Sequence, residues 1–208
     1  MKNAPTTTTP GAGAVANGLI HRPRSWVERL PLAELFPRAQ PLEVELGSGD
    51  GSFLAQWAQA QPQLDFLGVE RLLGRLRKLD RKGRKLALAN LRLMRIEASY
   101  FLEYLLPPAS VRAMHVYFPD PWPKRKHRKH RLVSERFPDL AARVLVPGGR
   151  VYLRTDDADY FAQMMTVFGA DPRFTSVETP PELSAVLTDF ERDFHARGVA
   201  TQRAAYQL

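Results

Sequence analysis

The stretch that decides the fold of this chain is Leu42-Glu-Val-Glu-Leu-Gly-Ser-Gly-Asp-Gly51. Its first half alternates apolar and acidic side chains, as a β-strand does, and its second half has a glycine at every other position. Glycine lets the backbone turn sharply, and the run from Gly51 to Gln61 then predicts a helix that ends before Pro62. The sequence therefore predicts a strand, a tight turn and a helix in direct succession.

The same alternation of strands and helices continues along the chain. Further strands are predicted at residues 65–70, 91–96, 111–118 and 150–154, and a last one at 199–208. Helices are predicted at residues 72–83, 100–106, 135–144 and 160–168. Short apolar runs that alternate with amphipathic stretches favour an α/β fold, a doubly wound and mostly parallel sheet with helices on both faces.

The composition is that of a globular chain with a basic surplus. Its 208 residues can bury one hydrophobic core, and 30 Lys and Arg against 22 Asp and Glu give a formal net charge of +8. Such a surplus suits an anionic partner such as a nucleic acid. The chain has no cysteine and its five histidines are scattered, so neither a disulfide framework nor a metal site is expected. His115, inside a predicted strand, is interpreted as a core residue.

The chain is expected to divide into an N-terminal arm and one domain. Residues 1–18 are rich in Thr, Pro, Gly, Ala and Asn and poor in large apolar side chains, which predicts a disordered arm. Residues 19–208 are expected to form a single domain, and a monomer is favoured. No segment has the apolar run of a signal peptide or the length of a membrane span, so a soluble, cytoplasmic protein is expected.

Acidic side chains lie at the ends of four predicted strands: Glu45, Glu70, Glu97 and Asp120. The carboxyl ends of parallel strands meet at one edge of a sheet, and ligands bind at that edge in doubly wound folds. The four acids are therefore expected to share one binding site.

The glycine spacing helps to choose the ligand. The three glycines of the turn are Gly47, Gly49 and Gly51. Ser52 stands where a dinucleotide-binding fingerprint needs its last glycine, which argues against a nicotinamide cofactor. A carboxylate directly before the turn would repel a pyrophosphate but suits S-adenosylmethionine, which carries a sulfonium and an ammonium group and no phosphate. Glu70 would then accept hydrogen bonds from the ribose hydroxyls, and Glu97 would lie at the adenine edge.

The second informative stretch is Phe118-Pro-Asp-Pro-Trp-Pro-Lys124, which leads into Arg-Lys-His-Arg-Lys-His-Arg131. Asp120 lies between two prolines, which restrict the backbone on both sides and hold its carboxylate in place. Trp122 can stack on a base, and the run from Lys124 to Arg131 contains six Lys or Arg and two His. A fixed carboxylate, a stacking ring and dense positive charge predict a site that works on a base inside a nucleic acid.

These stretches resemble the bacterial tRNA (guanine-N7-)-methyltransferase family. The resemblance spans about residues 41–194 and is carried by V-E-L-G-S-G-D-G at 44–51, G-V-E at 68–70, N-L-R-L at 90–93, F-P-D-P-W-P-K-R-K-H-R-K-H-R at 118–131, G-G-R-V-Y-L-R-T-D at 148–156 and T-D-F-E at 188–191. It implies a Rossmann-like methyltransferase fold with a seven-stranded sheet, S-adenosylmethionine as cofactor and tRNA as partner. The implied reaction is methylation of guanine N7 in a variable-loop guanosine, which gives 7-methylguanosine.

The resemblance also implies roles for individual residues. The methyl-donor site would be lined by Glu45, Glu70, Glu97 and Asp120. The guanosine would be faced by Asp120, Lys124, Asp156, Thr188, Asp189, Phe190 and Glu191. The RNA would be contacted by Lys126, His127, Arg128, Lys129, His130 and Arg131. Two positions depart from the family pattern, because Ile96-Glu97 replaces His-Asp and Arg154 replaces a small residue.

The chemistry asks for alignment and charge stabilisation. Guanine N7 carries an in-plane lone pair, so no proton has to leave before it attacks, and the protein chiefly has to align the reactants. Asp120 is the expected catalytic residue, because its carboxylate would stabilise the positive charge that develops on the purine. Trp122 and Phe190 are the rings expected to stack on the extruded base.

Besides the nicotinamide dehydrogenase, two alternative functions and the role of one basic region remain to be weighed. A methyltransferase for exocyclic amines would carry Asp/Asn-Pro-Pro and an aromatic residue, whereas residues 120–123 are Asp-Pro-Trp-Pro. A non-catalytic RNA-binding protein on the same scaffold would not bind the methyl donor. The run from Arg71 to Arg95 holds ten Lys or Arg with Asp80 as its one acid, and its outer face is either merely solvated or a second RNA contact.

Overall fold

The computed structural model describes residues 18–208, which form eight strands and seven α-helices. The strands are β1 (Ile20–His21), β2 (Leu42–Leu46), β3 (Asp65–Val69), β4 (Leu91–Met94), β5 (Val111–Tyr117), β6 (Leu145–Thr155), β7 (Thr175–Val177) and β8 (Gln202–Gln207). The helices are α1 (Leu54–Ala60), α2 (Leu73–Lys85), α3 (Ala98–Tyr100), α4 (Phe137–Val144), α5 (Ala158–Gly169), α6 (Pro181–Ala185) and α7 (Asp189–Ala196). A π-helical turn (Phe101–Leu105) continues α3, and Leu32–Glu34 and Arg125–His130 are 3₁₀ helices. The arm predicted for residues 1–18 lies outside the described residues except for Gly18.

All strands of residues 18–208 belong to one sheet in the order β1-β4-β3-β2-β5-β6-β8-β7. The five strands from β4 to β6 are parallel to their neighbours, and β8 runs antiparallel between β6 and β7. The predicted doubly wound, mostly parallel α/β sheet is thus confirmed, with eight strands where seven were expected. The additional strand is β1, whose two residues are too few to show any alternation in the sequence.

The strand order places a crevice at the centre of the sheet. From β2 the chain winds outward through β3 and β4, then crosses back to β5 on the other side of β2. Loops that leave β2 and β5 at their carboxyl ends therefore run in opposite directions and open a crevice between them, where doubly wound proteins bind ligands. Both informative stretches of the sequence follow these two strands.

Two apolar clusters cover the two faces of the sheet. One packs α4, α5 and the π-helical turn against the strands through Phe137, Phe168 and Phe101. The other packs α1 and α2 through Trp57 and a leucine pair. Burial on both faces explains why every residue of β2 and β3 is buried, as is usual for strands at the centre of a parallel sheet.

His115 is a core residue, as its position in the sequence suggested. Its side chain is fully buried in β5, with Nε2 lying 3.0 Å from the Glu43 carboxylate and Nδ1 lying 2.9 Å from the Tyr117 hydroxyl. Trp57 Nε1 donates to the same Glu43 carboxylate. Every polar atom of the imidazole therefore has a protein partner.

The bounds predicted for the strands and helices differ most from those of the structure where loops and short elements meet. The helix expected from Gly51 begins only at Leu54, because the glycine turn extends further. The strand expected at residues 150–154 covers Leu145–Thr155, because Leu145 also pairs with β5; the Pro-Gly-Gly segment between lies at an irregularity of this pairing, and Gly148 has φ of +75°. The sequence did not predict α6, α7 or β7, which are short and take their conformation from tertiary contacts. No helix within residues 18–208 is long and apolar enough to span a membrane.

Gly51 is required by packing between the glycine turn and α2. A Cβ atom at this position would overlap the side chain of Leu79, and the backbone φ is +77°. We expect Gly51→Ala to lower the free energy of unfolding in urea by about 2–4 kcal/mol, from overpacking and left-handed strain together. The control is Gly74→Ala in α2, where a Cβ meets nothing within 4 Å and should stabilise the helix by up to about 1 kcal/mol. Equal effects of the two substitutions would contradict the packing role.

Candidate active site

A cavity of about 300 Å³ lies at the carboxyl ends of the central strands. Its walls come from the segments that follow β2, β3, β4 and β5, and they include Glu70, Glu97 and Asp120. Glu45 is buried near the end of β2 and is outside the lining. The fold thus brings three of the four predicted acids to one cavity, as expected from strand ends that share a sheet edge.

The glycine turn forms one lip of this cavity. Gly47 and Gly49 have φ of +82° and +54°, and a Cβ on either would meet nothing within 4 Å. Both glycines therefore provide a conformation that other residues avoid and leave open space for a ligand. Gly47 lines the cavity, and Gly49 donates its N–H to Glu70 of the lining, whereas Gly51 packs on α2, so we leave Gly51 out of the proposed cofactor site.

The Glu70 carboxylate is fixed by two backbone donors. Gly49 N donates to Oε2 at 3.1 Å, and Leu72 N donates to Oε1 at 2.7 Å. These bonds tie the glycine turn to the start of α2. Each carboxylate oxygen still has a free lone pair, so hydroxyl groups of a ligand in the cavity can also be bound.

Glu45 is a buried acid with few polar partners. Burial raises the pKa of Glu45 to about 8, an effect that Arg154 opposes and that Glu70 and Asp50 reinforce. Its Oε2 atom has no hydrogen-bond partner among the described residues. An unpartnered buried carboxylate oxygen beside an open glycine turn fits a cofactor that carries cationic groups.

Glu97 caps the helix that begins beside the cavity. Its Oε1 and Oε2 accept from Ser99 N at 2.9 Å and Tyr100 N at 2.8 Å. The side chain is exposed, and Ile96 and Ala98 line the cavity next to it. Glu97 thus stands at the wall that follows β4, and its contact with the adenine edge stays a prediction.

The loop that carries Asp120 is held in an unusual backbone conformation. Phe118 and Trp122 have φ of +49° and +44°, values that bulky residues rarely adopt. Asp120 lies exposed between them at the mouth of the cavity. Surrounding contacts must over-determine such a loop, and they do so through one buried arginine.

Arg131 holds the loop that carries Asp120 in place, and its contacts act as a clamp. Its Nε donates to the Pro121 carbonyl at 2.7 Å, and its terminal nitrogens bind Gln163 at 2.7 Å and Asp159 at 2.6 Å. The guanidinium also lies 4.7 Å from the centre of the Tyr160 ring. Only 1% of its side chain is exposed, so the RNA contact expected for Arg131 does not fit this placement.

The remainder of the basic run forms a 3₁₀ helix beside the cavity. Lys124, Lys126, Arg128 and Lys129 are exposed, in keeping with their expected contact with a polyanion. Arg128 also pairs with Asp159 at 3.0 Å. The Trp122 ring lines the cavity and packs against His130 at 5.2 Å and His127 at 5.9 Å between ring centres.

The segment expected to face the guanosine divides into buried and exposed residues. Thr188 Oγ1 accepts from Glu191 N, and Glu191 Oε2 accepts from Thr188 N, which caps α7. Both are buried, Glu191 completely, so contact of either side chain with a base does not fit this placement. Asp189 and Phe190 are exposed, and Phe190 packs on Phe118 with ring centres 6.2 Å apart.

Arg154 is the residue that sequence reasoning left without a role. Its buried guanidinium donates to Glu191 at 2.9 Å and to the carbonyls of Val186 at 2.8 Å and Leu183 at 2.6 Å. It also lies 4.2 Å from the centre of the Tyr117 ring. The one signal in the sequence was an arginine inside an apolar strand. Asp156, two residues further on, is exposed just beyond β6.

The geometry defines a ligand site at the switch point of a doubly wound sheet, lined by acids and flanked by cations. No group of three or more His, Cys, Asp or Glu within residues 18–208 is placed to hold a metal ion. The model of a family described as "Putative methyltransferase" matches residues 39–208. The crystal structure of the 16S rRNA methyltransferase KamB has a TM-score of 0.60 at 17% identity, covering 87% of this chain and 94% of that one. The fold is therefore that of a methyltransferase.

Curated relatives identify the family of methyltransferases to which the chain belongs. A tRNA (guanine-N(7)-)-methyltransferase of Halorhodospira halophila is 36% identical over 184 residues, 86% of this chain and 80% of the relative. One of Rubrobacter xylanophilus is 37% identical over 179 residues, 82% of this chain and 79% of the relative. The chain belongs to the tRNA (guanine-N7-)-methyltransferase family.

The Arg154–Glu191 pair should dominate the stability of the C-terminal part of the site. We expect Arg154→Ala to lower the free energy of unfolding by about 3–5 kcal/mol, because it removes one of the two arginine partners of the buried Glu191 carboxylate and leaves the carbonyls of Leu183 and Val186 without their donor. The control is Arg192→Ala, which removes an exposed pair with Asp189 and should cost about 1 kcal/mol or less. Urea titrations of both variants would measure the difference, and similar losses would show that the buried pair is not the anchor.

Proposed function

We propose that this chain methylates N7 of a guanosine in tRNA, with S-adenosylmethionine as the methyl donor. The observation that carries the proposal is the cavity at the switch point, which joins the exposed Asp120 carboxylate to the acids of a methyltransferase fold. Family membership supplies the substrate class. As part of the proposal, the guanosine is in the variable loop and the enzyme acts in the cytoplasm, where tRNA is found.

The donor would be held by residues of the glycine turn and the neighbouring strand ends. Glu70 would bind the ribose hydroxyls, Gly47 and Gly49 would allow close approach, and the Glu45 carboxylate would offset positive charge from the buried side. Glu97 would lie at the adenine end. Once bound, S-adenosylmethionine would supply the methyl group, which its sulfonium activates for attack by a lone pair.

The chain's own residues would then align the base and stabilise charge. Guanine N7 has a lone pair and no proton, so no general base is needed. The purine would become cationic on methylation, and the Asp120 carboxylate, on a loop whose backbone is held by its prolines and by Arg131 on Pro121, would stabilise that charge. Because the backbone of the loop is held before the reaction, it would need little reorganisation.

Recognition of the base would use Trp122 of the cavity lining and exposed residues that lie outside the lining. Asp156 could accept hydrogen bonds from the N1–H and N2–H₂ edge that distinguishes guanine from adenine. Trp122 and Phe190 present rings for stacking, each worth roughly 1–3 kcal/mol, which would partly offset the cost of extruding the base. Lys124 and Asp189 remain in the proposed substrate site. Thr188 and Glu191 hold α7 in place and are left out of it.

The deciding experiment is methyl transfer to unmodified tRNA transcripts. Labelled S-adenosylmethionine should give labelled tRNA whose nucleoside digest contains 7-methylguanosine. Tight tRNA binding without transfer would favour the non-catalytic RNA-binding protein. A different methylated nucleoside would leave the methyltransferase activity intact and contradict guanine N7 as the acceptor atom.

Replacement of the Asp120 carboxylate should damage turnover more than binding. We expect Asp120→Asn to lower kcat by about 10²–10³-fold, since an amide cannot stabilise the cationic purine, and to change tRNA affinity little. The control is Asp193→Asn, an exposed carboxylate of α7 away from the cavity lining. Single-turnover kinetics at saturating tRNA would check the split, and near-normal kcat in Asp120→Asn would remove its catalytic role.

A further inference from the structure

Helix α2 presents a line of cations that the proposed function does not use. The cationic stripe consists of Arg75, Lys78, Lys82 and Lys85, spaced alternately by three and four residues, and Arg71 lies just before the first turn of the helix. Residues at this spacing lie one above another on one side of a helix. Leu76 and Leu79 are fully buried and fix the opposite side of α2 against the sheet. The stripe is therefore held on the outer surface by the packing of the helix.

The stripe runs from the cavity to the exposed end of α7. Arg71 and Arg75 are part of the cavity lining, beside Glu70. Further along, Lys82 Nζ lies 3.2 Å from the Asp50 carboxylate and 3.9 Å from that of Asp189. The stripe thus connects the proposed cofactor end of the cavity with the segment proposed to meet the substrate.

Most of this charge has no acidic partner. Asp80 is the one acid between Arg71 and Arg95, and its carboxylate is already bound to Leu19 N at 2.7 Å and Arg84 Nε at 3.1 Å. Within residues 18–208, Arg75, Lys78 and Lys85 form no salt bridge. Like charges at this spacing weaken a helix by a few tenths of a kcal/mol per pair, so an anionic partner would stabilise α2.

A second cationic element lies across the same cavity. The 3₁₀ helix Arg125–His130 follows Trp122, and both Trp122 and His130 line the cavity. Arg71 and Arg75 stand at the wall formed by the start of α2. The mouth that carries Asp120 is therefore flanked by positive charge from two separate parts of the chain.

We propose that the cationic stripe binds backbone phosphates of tRNA, as the second of two phosphate contacts on either side of the cavity; this rests on the proposed function for the identity of the RNA. From Arg75 to Lys85 the helix rises about 15 Å. That length matches about four nucleotides of one strand at roughly 3.4 Å each. A single nucleotide could neutralise only part of such a line, whereas a continuous strand meets all of it.

The test compares two sides of the same helix. Lys78→Gln/Lys85→Gln removes two charges from the stripe, and Arg77→Gln/Arg84→Gln removes two exposed charges from the neighbouring side of α2, at no three- or four-residue spacing from any stripe residue. Binding of a fluorescent tRNA transcript would be measured by anisotropy over a range of salt concentrations. The stripe variant should bind about tenfold more weakly at low salt. The slope of its log binding constant against log salt concentration should be smaller in magnitude by about 1.4–1.8. The control variant should stay within about twofold of the parent chain with an unchanged slope.

Each outcome decides the proposal. Equal effects of the two variants would show a diffuse cationic surface and overturn the stripe, as would unchanged tRNA binding by the stripe variant. A calorimetric loss of S-adenosylmethionine affinity in the stripe variant, with tRNA binding intact, would assign these lysines to the cofactor instead. The assay needs no methyl transfer, so a parent chain that binds tRNA but fails to make 7-methylguanosine would refute the proposed function alone. A parent chain that does not bind tRNA would overturn both.

Discussion

The buried Arg154 guanidinium is the contact on which the C-terminal half of the site depends. It joins the end of β6 to the carbonyls of Leu183 and Val186 and to Glu191 on α7, and Arg203 of β8 binds the other oxygen of Glu191 at 2.8 Å. A buried charge is costly unless every neighbour offers it a partner, so the segment from α6 to α7 has little freedom to take another position. The placement of Asp189 and Phe190 at the surface follows from that constraint.

Arg131 serves the other side of the cavity in the same way. Its bonds to Pro121, Gln163 and Asp159 hold a loop in which two bulky residues have positive φ. Positive φ costs energy, which the clamp and the packing on Tyr160 offset. The arginine that ends the basic run thus fixes the position of Asp120, while the exposed cations before it remain free to meet a ligand.

Charge is arranged by depth across the site. Two of the four acids lie inward, at the strand ends, where Glu45 is buried and Glu70 is tied to the backbone. Cations lie outward, on the 3₁₀ helix and on α2. This order suits a small cationic cofactor in the interior and a polyanion across the mouth, and it would disfavour a phosphate-bearing cofactor within.

The sequence by itself determined the parallel doubly wound sheet, because strand and helix periods and the glycine turn are local signals that neighbours in space do not alter. It also placed Glu70, Glu97 and Asp120 together, because strand ends of a parallel sheet share an edge. It could not show that Glu191 is buried and Asp189 exposed, or that Arg131 is buried and Lys129 exposed. Neighbouring residues of one motif differ in burial only because the backbone directs their side chains to different sides. Only the tertiary structure decided that Glu191, Arg131 and Arg154 are buried anchors, because burial depends on elements such as α5, α6 and β8 that are distant in the chain.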